Sequence, residues 1–150
     1  MTSDVALKNF DYKMFDVAKK IAEKSNFQSQ KMGCVITYKG HIVSKACNTE
    51  KTSPAQRYYN RYRQFRNHGA KVLHKLHCEI RALSLISYPV SQNIEWSKVH
   101  VYIYRIAPGL PLEQGLARPC PGCIQALKDK GIKHIYYSTN DGFAYEKLEY

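Results

Sequence analysis

The sequence predicts a single α/β domain, a mixed sheet packed by helices, and three observations lead there. Apolar residues recur at helical spacing in three separate segments, while β-branched and aromatic runs stand between them. The order of these segments is helix, hairpin, helix, strand, helix, strand. At 150 residues there is room for one domain, and no repeat or linker divides the chain.

Residues 11–24 form the first expected helix, with Met14, Phe15, Val17, Ala18, Ile21 and Ala22 on its inner face. Residues 33–38 and 41–47 flank Lys39-Gly40 and read as a β-hairpin. From Asn48 to about Lys75 no clean period emerges, and a loop of that length in a small domain is usually functional. Within it, residues 57–66 suggest a short helix presenting Tyr58, Tyr62 and Phe65 on one face. A second core helix begins near His77 and stops before Pro89. Residues 99–106 alternate as a strand, with Tyr102 and Tyr104 on one face as candidates to line a pocket or an interface. A third helix follows Pro119-Cys120-Pro121 and ends at Gly131, before a strand over 132–138.

The C-terminus then offers Asn140-Asp141-Gly142 between two strand-like runs, which signals a hairpin. A parallel last strand needs a crossover of about a dozen residues, and too few remain. The sequence therefore predicts an antiparallel fifth strand; a short terminal helix is the competing reading.

Composition narrows the function classes. The 44% hydrophobic content suits one core. No apolar run reaches the about 18 residues of a membrane span, so no membrane partner is expected. Residues 1–8 lack the pattern of a secretory signal, and a cytoplasmic location is the expectation. Five cysteines without an export signal argue for reduced thiols, some of them metal ligands. The formal charge is +11, and the stretch 51–76 carries Lys51, Arg57, Arg61, Arg63, Arg66, Lys71 and Lys75 with no acidic residue. Such a field suits an anionic partner, either a phosphorylated nucleotide or nucleic acid.

Two motifs carry the chemistry: His77-Cys78-Glu79 and Pro119-Cys120-Pro121-Gly122-Cys123. Catalytic zinc takes three protein ligands and keeps a fourth position for water. Cys120 and Cys123 at a helix N-terminus supply two thiolates favoured by the helix dipole, and His77 supplies the third ligand. Glu79 then stands two residues away as the base beside that fourth position. Alone, the Cys-x-x-Cys pair also fits structural zinc, a redox pair or buried thiols. Structural zinc asks for a fourth ligand, and the residues before Cys120 do not form a thioredoxin-like unit. His74, one turn earlier, is a rival ligand without a glutamate two residues on.

Taken together, these motifs resemble the cytidine deaminase-like superfamily, whose pattern is His-x-Glu followed by Pro-Cys-x-x-Cys. The resemblance spans most of the chain, from the first helix to the strand at 132–138. It implies a three-layer α/β/α fold with a mixed five-stranded sheet. It implies Zn2+ as cofactor, His77, Cys120 and Cys123 as ligands, and Glu79 as proton shuttle. Asn48 matches the asparagine that commonly contacts sugar or base, and is otherwise a turn residue ending the hairpin. The implied reaction is hydrolytic deamination: Glu79 takes a proton from water, the water oxygen attacks C4 of cytosine, and ammonia leaves. Cys78 stands where the family usually has a small residue, and should point away from the metal.

Histidine as the first ligand resembles the deoxycytidylate and tRNA-adenosine branch, whereas an antiparallel last strand resembles the free-cytidine branch. Arg57, Arg61 and Arg118 are candidate contacts for a substrate phosphate. The leading expectation is a small cytosine nucleotide or nucleoside, best deoxycytidylate. The alternatives are cytosine or adenine within single-stranded DNA or RNA, gripped by the arginine-tyrosine segment, and a non-catalytic zinc module. A homo-oligomer is expected by analogy, with the 12 tyrosines suited to an interface.

Overall fold

The computed structural model of the chain describes residues 2–3, 7–27, 30–62 and 75–150. Its elements are β1 (Thr2–Ser3), α1 (Asn9–Ala22), β2 (Lys31–Tyr38), β3 (His41–Cys47), α2 (Pro54–Asn60), α3 (Cys78–Ser84) and α4 (Tyr88–Gln92). They continue through β4 (Val99–Ile106), β5 (Gln114–Gly115), α5 (Pro121–Lys130), β6 (His134–Ser138) and β7 (Phe143–Lys147). The sheet order is β1-β7-β6-β4-β2-β3, with β5 added beside β4. Adjacent strands are antiparallel except β4 and β6, which run parallel and are joined through α5. The five long strands are those the sequence predicts, and the two-residue β1 and β5 extend them. The C-terminal segment is a strand antiparallel to β6, so the helical reading of it does not hold.

Strand alternation sorts the core into two sides. Cys34, Ile36, Val101, Ile103 and Ile135 face Cys78 and Ala82 of α3 and Leu127 of α5. Val35, Tyr102, Tyr104 and Tyr136 face Met14, Phe15 and Ala18 of α1. The result is a three-layer α/β/α domain. Asp11 ties the α1 layer to the sheet: its carboxylate accepts from the Lys8 backbone N–H at 2.8 Å and from the Tyr102 hydroxyl at 2.6 Å.

Three local features depart from the sequence reading. The helix in the basic segment starts at Pro54, because Ser53 accepts from the Gln56 N–H at its N-cap and proline suits a first turn. Tyr58 is exposed on it and Tyr62 is exposed just beyond its end, and Arg63, Phe65, Arg66, Lys71 and His74 lie outside the described residues. The helix at the His77 motif ends at Ser84, and Pro89 sits in the first turn of α4 instead of beyond a longer helix. There the missing proline N–H costs nothing.

The α1 layer crosses the sheet at Gly33, where a Cβ would stand 2.1 Å from the Ala18 carbonyl oxygen. Gly33→Ala is therefore expected to cost about 1–3 kcal/mol through overpacking, read as a lower midpoint in urea with an unchanged slope.

Candidate metal centre and catalytic pocket

The site forms where two helices begin. His77 is the N-cap of α3, in extended backbone, and Cys120 is the N-cap of α5 with Pro121 in the first turn. Cys123 follows in that turn, fully buried. The convergence brings His77 Nδ1 to 3.3 Å from Cys123 Sγ and 3.6 Å from Cys120 Sγ. All three ligand atoms lie within 4.8 Å of one another. A tetrahedral zinc with N at about 2.0–2.1 Å and S at about 2.3 Å sets its N and S ligands roughly 3.5 Å apart. The donor set and spacing thus fit Zn2+.

A bond network seats these helices. The His77 N–H donates to Gln56 Oε1 at 2.9 Å, and Gln56 Nε2 donates to Asn60 Oδ1 at 2.8 Å. Both amides are buried, at 0% and 1% exposure, so α2 serves as a bracket under the first ligand. Gly122 lets α2 approach α5, since a Cβ there would meet the Tyr59 carbonyl oxygen at 2.5 Å. Arg81 of α3 donates to the Cys47 carbonyl at 3.1 Å, and Ser44 of β3 donates to the Ala82 carbonyl at 2.7 Å. These contacts fix α3 on β3.

Within the ligand cluster the two thiols are shifted in opposite directions. Cys120 is drawn down to about 4, chiefly by the hydrogen bond from Cys123 and next by that from His77, against the effect of burial. Cys123 is pushed well up, first by the bond to Cys120 and then by burial. Burial likewise raises Cys78, which is 0% exposed and donates to Glu79 Oε1 at 2.8 Å.

A cavity of about 510 Å³ opens over the ligands, at the carboxyl ends of β3 and β4. His77, Glu79 and Cys120 share its lining with Asn48, Arg105 and Arg118. Glu79 is 2% exposed. Asn48 binds the wall together: its Oδ1 accepts from the Met32 N–H at 3.0 Å and Ser25 Oγ at 2.6 Å, and its Nδ2 donates to the Gln30 carbonyl at 2.6 Å. Arg118 reaches the cavity with its charge matched by Glu146, through Nε and Nη2 at 3.0 and 2.8 Å.

Arg57 and Arg61 do not line this cavity. Arg61 lies 4.0 Å from the Tyr58 ring centre and 5.0 Å from that of Tyr62, and donates to both hydroxyls. Tyr102 and Tyr104 sit on the α1 side of the sheet, bonded to Asp11 and Gln114, and take no part in this pocket. Strand alternation puts them on the face opposite Val101 and Ile103. Sequence reasoning passed over Arg105, Gln56 and Asn60. Nothing local marks an arginine near a strand end or two amides in an aperiodic segment.

Residues 8–139 match the family model described as the cytidine and deoxycytidylate deaminase zinc-binding region. The chain belongs to this family. It is a zinc-binding hydrolytic deaminase by membership, and the fold agrees. The dCMP deaminase from the cyanophage S-TIM5 in apo form superposes with a TM-score of 0.53 at 17% identity, covering 89% of this chain and 86% of that one. The same enzyme in complex with dCMP and dUMP gives a TM-score of 0.50 at 17% identity, covering 88% and 83%. No curated protein sequence matches the chain significantly. Among the described residues, no helix is long and apolar enough to cross a membrane.

Two outcomes follow from the supporting contacts. Gln56→Leu removes the acceptor for the His77 N–H, and zinc affinity is expected to fall roughly 10–100-fold in a chelator competition while the far-UV spectrum is kept. The hydrogen bonds from Arg118 hold the Glu146 carboxyl below its ordinary value. A depressed carboxyl stabilises the fold above its unfolded pKa, about 4.3, and that contribution disappears as pH falls through the folded value. The stability gap between wild type and Arg118→Gln should be full at pH 7 and close as the pH drops below about 4.

Proposed function

We propose that the protein deaminates a cytosine nucleotide hydrolytically, converting dCMP to dUMP with release of ammonia. The observation that carries this reading is a buried carboxylate, Glu79, lining the same cavity as His77 and Cys120 of the ligand cluster that Cys123 completes. Zinc held by those three residues supplies a Lewis acid that brings the pKa of water toward neutrality. Glu79 has the position to take a proton from water and pass it to N3 of the pyrimidine. It then delivers a proton to the exocyclic amine as the C4–N bond breaks. Water adds its oxygen at C4, its second proton goes through Glu79 to the departing amine, and the products are dUMP and ammonia. The Cys78 thiol fixes one oxygen of Glu79, leaving the carboxylate oriented before substrate enters.

The complex of the cyanophage enzyme with dCMP and dUMP supports a nucleoside monophosphate as substrate. The basic character of the chain, +11 overall, agrees with an anionic one. A second reading is favoured by one feature, the exposed Tyr58–Arg61–Tyr62 cluster at the C-terminal end of α2, which offers stacking faces and charge to a single strand. Because this cluster stands outside the cavity, the monomer reading is preferred.

Ammonia release by the zinc-loaded protein separates the two. The expected result is turnover of dCMP above deoxycytidine, CMP, adenosine and single-stranded oligonucleotides. Turnover confined to oligonucleotides, with binding that weakens steeply with salt, favours the second reading. Glu79→Gln is expected to lower kcat by at least about 10²–10⁴-fold. Its zinc content should remain at one per chain, and loss of zinc would mark Glu79 as a ligand.

A further inference from the structure

We propose that Arg105 is the residue that binds the substrate's phosphate, and so sets the preference for a nucleotide over a nucleoside. This rests on the nucleotide reading above. Among the described residues, three cations line the catalytic cavity: Lys75, Arg105 and Arg118. Arg118 is already committed to Glu146 through two hydrogen bonds. The Lys75 ammonium lies over the Phe27 ring at the cavity wall, 5.0 Å from its centre. Arg105 differs from both. Among the described residues its guanidinium has no carboxylate partner, and its Nε–H is buried without any acceptor.

A buried guanidinium donor with no acceptor is costly, and folded chains rarely keep one without a ligand to complete it. The surroundings of Arg105 show that its placement is built. It is the last but one residue of β4, at the strand end where the cavity opens, opposite Met32 of β2 and Gly115 of β5. Its backbone N–H donates to Ser138 Oγ at 3.1 Å, and that hydroxyl donates to the Gly115 carbonyl at 2.7 Å. A Cβ at residue 115 would stand 3.3 Å from Arg105 Cδ and 3.5 Å from Nε. Glycine at 115 therefore clears the path along which the arginine lies. The planar fork of a guanidinium matches two phosphate oxygens, and the dianion of a phosphomonoester satisfies both the donors and the charge.

The test compares wild type, Arg105→Gln, Arg105→Lys and Gly115→Ala on dCMP and deoxycytidine, after zinc content and melting temperature show each to be folded. Arg105→Gln is expected to raise KM for dCMP by roughly 10–100-fold, as loss of a charge-assisted contact does. Its kcat on dCMP, and kcat/KM on deoxycytidine, should stay within about threefold by the same reasoning. Arg105→Lys recovers part of the loss, and Gly115→Ala shifts the dCMP-to-deoxycytidine ratio in the direction of Arg105→Gln. Equal losses on both substrates overturn the proposal, since Arg105 then serves the base or the fold. No loss on dCMP overturns it as well.

Should wild type turn over neither monomer, the nucleotide reading itself fails, and binding decides the role of Arg105. Calorimetric binding of dUMP or inorganic phosphate that Arg105→Gln weakens upholds the assignment. Absence of binding, or binding that the substitution leaves unchanged, overturns it. If glutamine at 105 fails to fold, the same comparisons are read from Arg105→Lys, whose KM for dCMP must rise while that for deoxycytidine does not.

Discussion

Two helix N-termini have to meet at one point. His77 and Cys120 are the N-caps of α3 and α5, and a shift of either helix by a residue would move its ligand about 100° around the axis. Much of the rest of the domain can be understood as holding that meeting in place. The parallel pair β4 and β6 fixes where α5 lies between them. Ser44 and Arg81 fasten α3 to β3, while the buried amides of Gln56 and Asn60 brace the His77 backbone. Gly122 removes the side chain that would keep α2 and α5 apart. The dipoles of both helices then favour thiolate and carboxylate at this junction.

The charge pattern is less simple than the net value suggests. Arg118, an obvious candidate for an anion site, is paired with Glu146, and Arg61 is wrapped by two tyrosines outside the cavity. Among the described residues, positive charge available to a ligand in the cavity comes instead from Arg105 and Lys75. Total charge steers an anion toward the protein, while the local pairing of each cation determines which ones can hold it.

The ligand motifs and the strands were legible in the sequence because their information is local. Cys120-Pro121-Gly122-Cys123 carries its own helix start, and Val99 to Ile106 carries its own alternation. The C-terminal hairpin followed from Asp141-Gly142 between two strand-like runs. What escaped depends on distant residues. Glu146 neutralises Arg118 across 28 positions, and Gln56 supports His77 across 21. Arg105 resembles an ordinary strand-end arginine until β5 and Gly115 are seen beside it. The limits of α2 and α3 were misjudged because Pro54 and Pro89 open helices there, a role proline shares with ending them.

The central claim is that this chain holds one metal with three protein ligands and leaves one position facing Glu79. X-ray absorption at the zinc edge of the loaded protein tests it most directly. The account predicts two sulfur scatterers at about 2.3 Å and two nitrogen or oxygen scatterers at about 2.0–2.1 Å, one of them exchangeable solvent. Three sulfurs, as recruitment of Cys78 would give, or a closed shell of four protein ligands would contradict it.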